Sequence, residues 1–154
     1  MQVINLYFEL LKEREMREPE KFLRCHFFNT FFYKKIFVPI HNEIHWCLAV
    51  INKKDEKFQY LDSLGGKDQN VLRVLAKYFV EEVKDKSGQD VDVSYWEQQV
   101  VEDLPEQENG FDCGMFMIKY ADFYSRGPGL CFNQEHMPYF RRRTAKEILN
   151  LRAD

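Results

Sequence analysis

The sequence has 154 residues, and a chain of this length forms about one domain. Hydrophobic residues make up 45% of it and aromatic residues 16%, which excludes an intrinsically disordered chain. The net charge of −3 argues against a general nucleic-acid binder, and no apolar run approaches the roughly 20 residues of a membrane-spanning helix. Because the N-terminus lacks a signal-peptide pattern, we expect a soluble, intracellular protein whose four cysteines are thiols.

The hydrophobic pattern along the chain predicts four helices and four strands. In the predicted helices apolar residues recur at helical spacing, and in the predicted strands β-branched and aromatic residues dominate. In chain order the predicted elements are helix 2–14, strands 36–40, 46–52 and 58–62, helix 68–86, strand 91–101, and helices 115–124 and 138–151. The aromatic-dense segment 22–33 is expected to pack in the core, and Pro39 favours an edge or a strand end. This order predicts an α+β fold with mostly sequential strands rather than βαβ alternation.

Cys113 is the first candidate for chemistry, because it follows an Asn109-Gly110 turn and begins a predicted helix. The free N–H groups and partial positive charge of a helix start stabilise a thiolate. Gly110 and Gly114 let the backbone pass close to a ligand. The alternative is that Cys113 is a small buried residue of the helix, a common role for an intracellular cysteine.

His45 and Asp62 are the candidate partners of this thiol. His45 begins one predicted strand and Asp62 ends the next, so an antiparallel pair joined by a tight turn brings the two side chains together. A thiolate nucleophile needs such a histidine base, and the base needs a third group to orient it. The alternative is a strand-end histidine beside a turn-forming aspartate.

Gln107 lies six residues before Cys113, just ahead of the turn. If the turn folds its amide back beside the thiol, the amide and the Cys113 backbone N–H form an oxyanion hole. A glutamine in a loop is otherwise simply solvated.

The remaining motifs are weaker. In an extended chain His41 and His45 lie about 13 Å apart, too far to share one metal ion. Cys25-His26 lacks a second pair of ligands, which argues against a zinc site. The run 141–143 consists of arginines and is interpreted as a solvated helix face, and Cys47 and Cys131 are interpreted as structural.

Several motifs in the right order strongly resemble the ubiquitin-like-specific (SUMO- or sentrin-specific) proteases, with the plant members most similar. The motifs are Ile36-Phe37-Val38-Pro39-Ile40-His41, His45-Trp46, Tyr60-Leu61-Asp62-Ser63 and Gln107 followed by Asn109-Gly110-Phe111-Asp112-Cys113-Gly114. The flanks agree as well, with Phe28-Asn29-Thr30-Phe31-Phe32-Tyr33 near the start, and Lys119-Tyr120-Ala121-Asp122 and Met137-Pro138 near the end. The resemblance covers nearly the whole chain.

This resemblance implies a papain-like cysteine protease fold, a central mixed or antiparallel sheet flanked by helices. It implies Cys113 as nucleophile, His45 as base and then acid, Asp62 as orienting group and Gln107 in the oxyanion hole, with no metal or cofactor. The implied reaction is cleavage after the C-terminal Gly-Gly of SUMO, for precursor maturation and for deconjugation from lysines. The implied partners are SUMO precursors and conjugates, with no nucleic acid or membrane, and the implied state is a nuclear monomer.

Trp46 is implied as the cover of the channel that admits the Gly-Gly tail, since only residues without a Cβ fit under an indole. Neighbours in a regular strand face opposite sides, so His45 and Trp46 in one site predict an irregular backbone or a strand that begins after Trp46.

The sequence departs from the family pattern in two places. Relatives carry a Trp-Leu-Asn-Asp stretch ahead of the positions matching residues 3–5, and its Trp forms the other channel wall. They also carry a further stretch between Tyr33 and Ile36, where this chain has only Lys34-Lys35. We therefore expect one catalytic domain over residues 1–154, shortened at its N-terminus and internally. Two alternatives stay open: a SUMO-binding module without turnover, and the same chemistry on another ubiquitin-like modifier.

Overall fold

The computed structural model describes residues 2–21, 25–26, 35–127 and 129–154. Its elements are α1 Gln2–Arg17, β1 Cys25–His26, β2 Lys35–Asn42, β3 His45–Asn52, β4 Lys57–Leu61, α2 Gln69–Ser87, β5 Glu97–Val100, α3 Cys113–Arg126, a 3-10 turn Gln134–His136, and α4 Met137–Leu149. None of the helices in these ranges is long and apolar enough to cross a membrane. The predicted aromatic segment 22–33 lies outside the described residues, except for the backbone of β1.

The five strands form one sheet in sequence order, β1-β2-β3-β4-β5. The central pairs β2–β3 and β3–β4 are antiparallel, and the outer pairs β1–β2 and β4–β5 are parallel. β3 is buried at every position from Cys47 to Asn52, because helices cover both faces of the sheet there. The predicted α+β fold with a mixed sheet flanked by helices is confirmed.

Helices on the two faces of the sheet give two hydrophobic clusters. On one face, here called the α3 face, α1, α3 and α4 pack against Phe37, Leu48 and Val50. On the other, the α2 face, α2 packs against Cys47, Ala49 and Ile51. The strand residues alternate between the clusters, as the two-residue period of a strand requires.

Helix α2 has a capping residue at each end, and these two residues set its bounds. The Asp68 side chain accepts hydrogen bonds from the backbone N–H groups of Asn70 and Val71, which satisfies two donors that the helix leaves free. Gly88 ends the helix in the left-handed conformation, with φ of 69°. The buried residues Leu72, Leu75, Phe79 and Val83 form one stripe against the sheet.

The predicted strand 91–101 is wrong over most of its length, since only Glu97–Val100 pairs with β4. The Asp92 carboxylate accepts a hydrogen bond from the backbone N–H of Ser94, and Trp96 N–H donates to the Val93 carbonyl. These bonds turn the chain before the sheet begins. Val91 and Val93 still pack against the cluster on the α2 face, which explains their apolar pattern.

A buried polar network, which the sequence pattern did not predict, joins α1, α3 and α4. The Arg14 guanidinium lies 2.8 Å from Asp122, and the Lys119 ammonium lies 3.3 Å from the same carboxylate. Tyr7 donates a hydrogen bond of 2.7 Å to Glu147. Burial raises the pKa of Asp122, but the adjacent Lys119, Arg14 and Arg126 outweigh burial and lower it to about 2. The network therefore holds a charged carboxylate inside the helical layer.

Candidate active site

His45 lies at the first position of β3, directly after a two-residue hairpin loop. The pairing of Asn42 with His45 closes this hairpin, and Glu43 within it has φ of 53°. The hairpin fixes His45 at the end of the sheet rather than in its middle. The side chain is 21% exposed, so the imidazole is reachable from solvent.

Asp62 follows the last residue of β4 and binds His45. The distance between His45 Nε2 and Asp62 Oδ1 is 2.6 Å, and the same oxygen accepts a 2.9 Å hydrogen bond from the Leu64 backbone N–H. The predicted pairing of these two side chains is confirmed, with one correction to its geometry. Leu48 pairs with Leu61, so continuing the register sets Asp62 opposite Cys47, and His45 reaches it diagonally from the same face.

The hydrogen bond to Asp62 determines which ring nitrogen of His45 carries the proton. A carboxylate only accepts, so Nε2 carries the proton in the neutral ring and donates it to Asp62. Nδ1 is then the unprotonated nitrogen. The arrangement leaves Nδ1 as the atom that can accept a proton from another group.

Cys113 is the first residue of α3, as predicted, and its side chain is buried. The Asn109 side chain shapes the turn ahead of it by accepting hydrogen bonds from the backbone N–H groups of Phe111 and Asp112. The first residue of a helix has no helical partner for its N–H, so the Cys113 amide points out of the helix start. Gly110 has no atom within 4 Å of an added Cβ, so packing within the protein does not require glycine there.

Asp112 anchors this turn, a role that no sequence pattern predicted. Its buried carboxylate accepts hydrogen bonds from Asn109 at 2.7 Å, from Gln134 at 2.8 Å and from Arg141 at 2.8 Å. Burial raises the pKa of Asp112, but the hydrogen bonds from Asn109, Gln134 and Arg141 outweigh burial and lower it. Part of the solvated-face interpretation of run 141–143 is therefore wrong, because Arg141 contacts Asp112 and Arg143 contacts Glu147.

Gln107 is buried and its amide is held at both ends. Its Oε1 accepts a 2.6 Å hydrogen bond from the Ser63 hydroxyl, and its Nε2 donates to the Asn109 carbonyl. Its backbone N–H also donates to the Ser63 carbonyl at 2.9 Å. An amide NH₂ has two hydrogens, so one remains for another acceptor. The residue next to Asp62 thus fixes Gln107, and the simple solvated alternative is wrong.

Trp46 joins the start of β3 to the start of α3. It is half-buried, stacks on His41 with ring centroids 4.3 Å apart, and lies 3.7 Å from the position that a Cβ on Gly114 would occupy. The predicted backbone irregularity is wrong, because β3 pairs regularly from His45 onwards. Trp46 packs with Leu48 in the cluster on the α3 face, whereas the two-residue period of the strand directs the His45 side chain to the α2 face.

The cysteines and metal-capable groups differ partly from expectation. Cys47, Cys113 and Cys131 are free thiols, but Cys131 is exposed, so its structural interpretation is wrong. Cys47 is buried beside Asp62, and burial raises the pKa of its thiol to about 12. Within the described residues His45, Cys47 and Asp62 could hold a metal ion, since their donor atoms all lie within 4.8 Å of one another. The side chains of Cys25 and His26 lie outside the described part of the chain.

Gly66 is a further residue that sequence reasoning missed. A Cβ at this position would lie 2.3 Å from Asp62 Oδ2. Glycine therefore leaves the space that the Asp62 carboxylate occupies. Its only sequence signal was the Gly65-Gly66 pair, which also fits an ordinary strand end.

Comparison with known proteins agrees with this geometry. The sequence model described as the Ulp1 protease family, C-terminal catalytic domain, matches residues 1–37 and 34–153. The chain is 58% identical to ubiquitin-like-specific protease 1A of Arabidopsis thaliana over 184 residues and 36% identical to human sentrin-specific protease 2 over 174 residues. These alignments cover 99% and 97% of this chain but 37% and 29% of the relatives, so the chain spans well under half of their length.

A solved structure shows the same fold. The C-terminal Ulp1 protease domain in complex with Smt3, the yeast ortholog of SUMO, matches with a TM-score of 0.73 and 25% identity. The match covers 96% of this chain and 75% of that chain. The family predicted from the motifs is confirmed. Of the two relatives named above, the plant protein is more similar to this chain than the human protein is. Because the family model matches nearly every residue, the chain belongs to the Ulp1 protease family, within its C-terminal catalytic domain.

Proposed function

We propose that this chain is a thiol protease that cleaves after the C-terminal Gly-Gly of SUMO. The reaction matures the precursor when the bond is a peptide bond, and it releases target proteins when the bond is an isopeptide to lysine. The observation that carries the proposal is the 2.6 Å contact between His45 and Asp62, on a strand whose next residue, Trp46, lies against Gly114, the residue that follows Cys113.

The proposed mechanism follows from the free nitrogen of His45. Nδ1 takes the Cys113 thiol proton, and the thiolate attacks the carbonyl carbon of the terminal glycine. The Asp62 carboxylate steadies the imidazolium that results, as the orienting acid of a triad does. The imidazolium then gives its proton to the leaving amine. Water, activated by the same imidazole, hydrolyses the thioester and restores the thiol.

Stabilisation of the tetrahedral oxyanion is proposed for Gln107 and the backbone N–H of Cys113. The amide has one hydrogen left after it donates to the Asn109 carbonyl, and hydrogen bonds from Ser63 and to Asn109 hold its plane. Donors held in advance need no reorganisation when charge develops, which is the source of their catalytic effect.

SUMO is proposed as the substrate because of what the relatives are. Sentrin-specific protease 2 matches over nearly the whole chain, and the Ulp1 domain was solved with Smt3 bound. Trp46 is proposed to cover the Gly-Gly tail, since its indole lies against the glycine that follows Cys113. A location in the nucleus and a monomeric state without nucleic acid or membrane are proposed from the family resemblance alone.

A second function is favoured by one observation, the shortness of the chain between β1 and β2. The alignment with the Arabidopsis relative spans 184 residues although this chain has 154, and the family model matches in two segments, which overlap at residues 34–37. Relatives thus carry extra residues ahead of β2. The alternative is a domain that binds SUMO but turns it over slowly or not at all.

The test is cleavage of a SUMO precursor by this chain beside its Cys113→Ser variant. We expect turnover that Cys113→Ser abolishes, and covalent labelling of Cys113 alone by a SUMO carrying a C-terminal vinyl electrophile. Binding of SUMO by calorimetry without labelling would establish the binding module instead. Parallel assays with ubiquitin and a Nedd-type modifier separate SUMO specificity from the same chemistry on another modifier.

A further inference from the structure

We propose that His45, Cys47 and Asp62 form a binding site for a thiophilic divalent cation of the Zn²⁺ class, and that its occupancy blocks the protease. The binding part of the proposal rests on the positions of the three donor atoms. Its consequence for catalysis rests on the proposed function, because two of the ligands are the proposed base and its orienting group.

The backbone of two paired strands already holds the three ligand residues close together. His45 and Cys47 are two residues apart on β3, so both side chains face the α2 face of the sheet. Asp62 follows the paired end of β4, opposite Cys47 when the register is continued. Two hydrogen-bonded strands therefore hold all three residues, and no loop has to fold to assemble the site.

The distances between the three donor atoms are close to those of a zinc site. The three donor atoms lie within 4.8 Å of one another. Tetrahedral zinc bonds of about 2.0–2.3 Å place ligand atoms about 3.3–3.7 Å apart, so shifts of about 1 Å in the side chains suffice. The 2.6 Å contact between His45 and Asp62 has to open by a comparable amount. Side-chain rotation supplies such shifts without breaking the sheet.

The chemical types of the three donor atoms favour a thiophilic cation. The site offers one imidazole nitrogen, one sulfur and one carboxylate oxygen, a set that suits Zn²⁺ or Co²⁺ rather than Mg²⁺ or Ca²⁺. The Cys47 side chain is buried, whereas the His45 side chain is 21% exposed, which gives the ion a path from solvent. Water completes the fourth position of a three-ligand zinc site.

Binding of the ion exchanges protons for metal bonds. The Cys47 thiol releases its proton to solvent when sulfur binds the ion. Nε2 of His45 binds the ion once the ring proton has moved from Nε2 to Nδ1, and Nδ1 can then no longer accept a proton from Cys113. The hydrogen bond between His45 and Asp62 is lost at the same time. The catalytic base is thereby disabled without any bond to Cys113.

The test of binding uses Co²⁺ alone, with a phosphine as the reductant because thiols chelate metals. We expect a thiolate-to-Co²⁺ absorption band in the wild-type chain and in Cys113→Ala, which Zn²⁺ displaces. Cys47→Ser and Cys47→Val should each lose the band while keeping the wild-type circular dichroism spectrum. Cys131→Ser, which changes the exposed thiol, is the matched control and should keep it.

The test of the consequence is Zn²⁺ inhibition, with each variant compared to its own rate without metal. We expect the half-inhibitory Zn²⁺ concentration to rise about 10-fold or more in Cys47→Ser and to stay unchanged in Cys131→Ser. A Co²⁺ band that vanishes in Cys113→Ala but persists in both Cys47 variants would place the ion on the nucleophile and overturn the proposal. Absence of any band in the folded wild-type chain would also overturn it, whether or not the chain cleaves SUMO.

Discussion

Replacement of Gly66 by alanine tests how the Asp62 carboxylate is held and whether it acts as the proposed orienting group. The added Cβ would lie 2.3 Å from Asp62 Oδ2 and 3.2 Å from its Cγ, whereas real Cβ atoms essentially never come closer than 3.0 Å to another heavy atom. The carboxylate or the turn must therefore move by at least about 0.7 Å. Asp62 Oδ1 is already bound by His45 at 2.6 Å and by the Leu64 N–H at 2.9 Å, so the movement weakens these bonds.

The upper limit of the effect is full loss of the hydrogen bond between His45 and Asp62, and a weakened bond gives a smaller effect. A hydrogen bond to a charged group contributes about 1.5–3 kcal/mol. Since about 1.4 kcal/mol corresponds to a tenfold change in rate, kcat should fall about 10- to 150-fold. KM should change little, because neither residue is proposed to contact the SUMO tail.

The assay is steady-state hydrolysis of a SUMO C-terminal fluorogenic substrate by the wild type and Gly66→Ala. Gly129→Ala is the control, since an added Cβ there meets nothing within 4 Å. In an Asp62→Ala background the clash is gone, so Gly66→Ala should cost no further activity. A folded Gly66→Ala enzyme with wild-type kcat, or a full additional loss in that background, would refute the reasoning.

The remaining predictions concern the supports of the site. Asp122→Asn removes the carboxylate charge that pairs with the buried Arg14 guanidinium and should lower the free energy of unfolding in urea at pH 7 by about 3–5 kcal/mol. Since the folded pKa of Asp122 is depressed to about 2, wild-type stability should decline as the pH falls from about 4 to about 2, and the variant should lack this part of the decline. Ser63→Ala removes the hydroxyl that binds Gln107 and should lower the single-turnover rate of acylation about 3- to 10-fold. An unchanged rate would show that this hydrogen bond does not contribute to catalysis. Arg141→Ala removes an ion pair on the turn before α3, and denaturant unfolding should show a loss of about 1 kcal/mol, in contrast to no loss for the exposed Arg142→Ala.

The sequence allowed the central features of the site to be predicted because each is local. A glycine turn that runs into an apolar helical period places Cys113 at a helix start, whatever surrounds it. Two apolar runs joined by a short polar turn pair with each other, which brings Asp62 to His45. Both inferences need only the period of the elements and the length of their connection.

Features that depend on packing between distant segments were missed. Whether Asp62 faces Cys47 directly or His45 directly depends on hairpin register, which a one-residue difference in the loop would change. The strand predicted over 91–101 failed for a local reason instead, the turn in which the Asp92 carboxylate accepts a hydrogen bond from the Ser94 N–H. The role of Arg141 at Asp112, by contrast, joins residues 29 positions apart. No periodicity reports such contacts, since each involves side chains that look polar and solvated in sequence.

By itself, the sequence determined the order of the helices and of the strands β2 to β5, the thiol at a helix start and the pairing of His45 with Asp62, because short-range spacing and hydrophobic period encode them. Only the tertiary structure decided how these parts are held. It placed a second thiol, Cys47, beside the proposed base, and it gave Gly66 its steric reason. It also showed that β3 runs regularly through His45 and Trp46, so these neighbouring side chains face opposite sides of the sheet. Such relations are set by where strands end and which faces helices cover, and these are properties of the packed molecule.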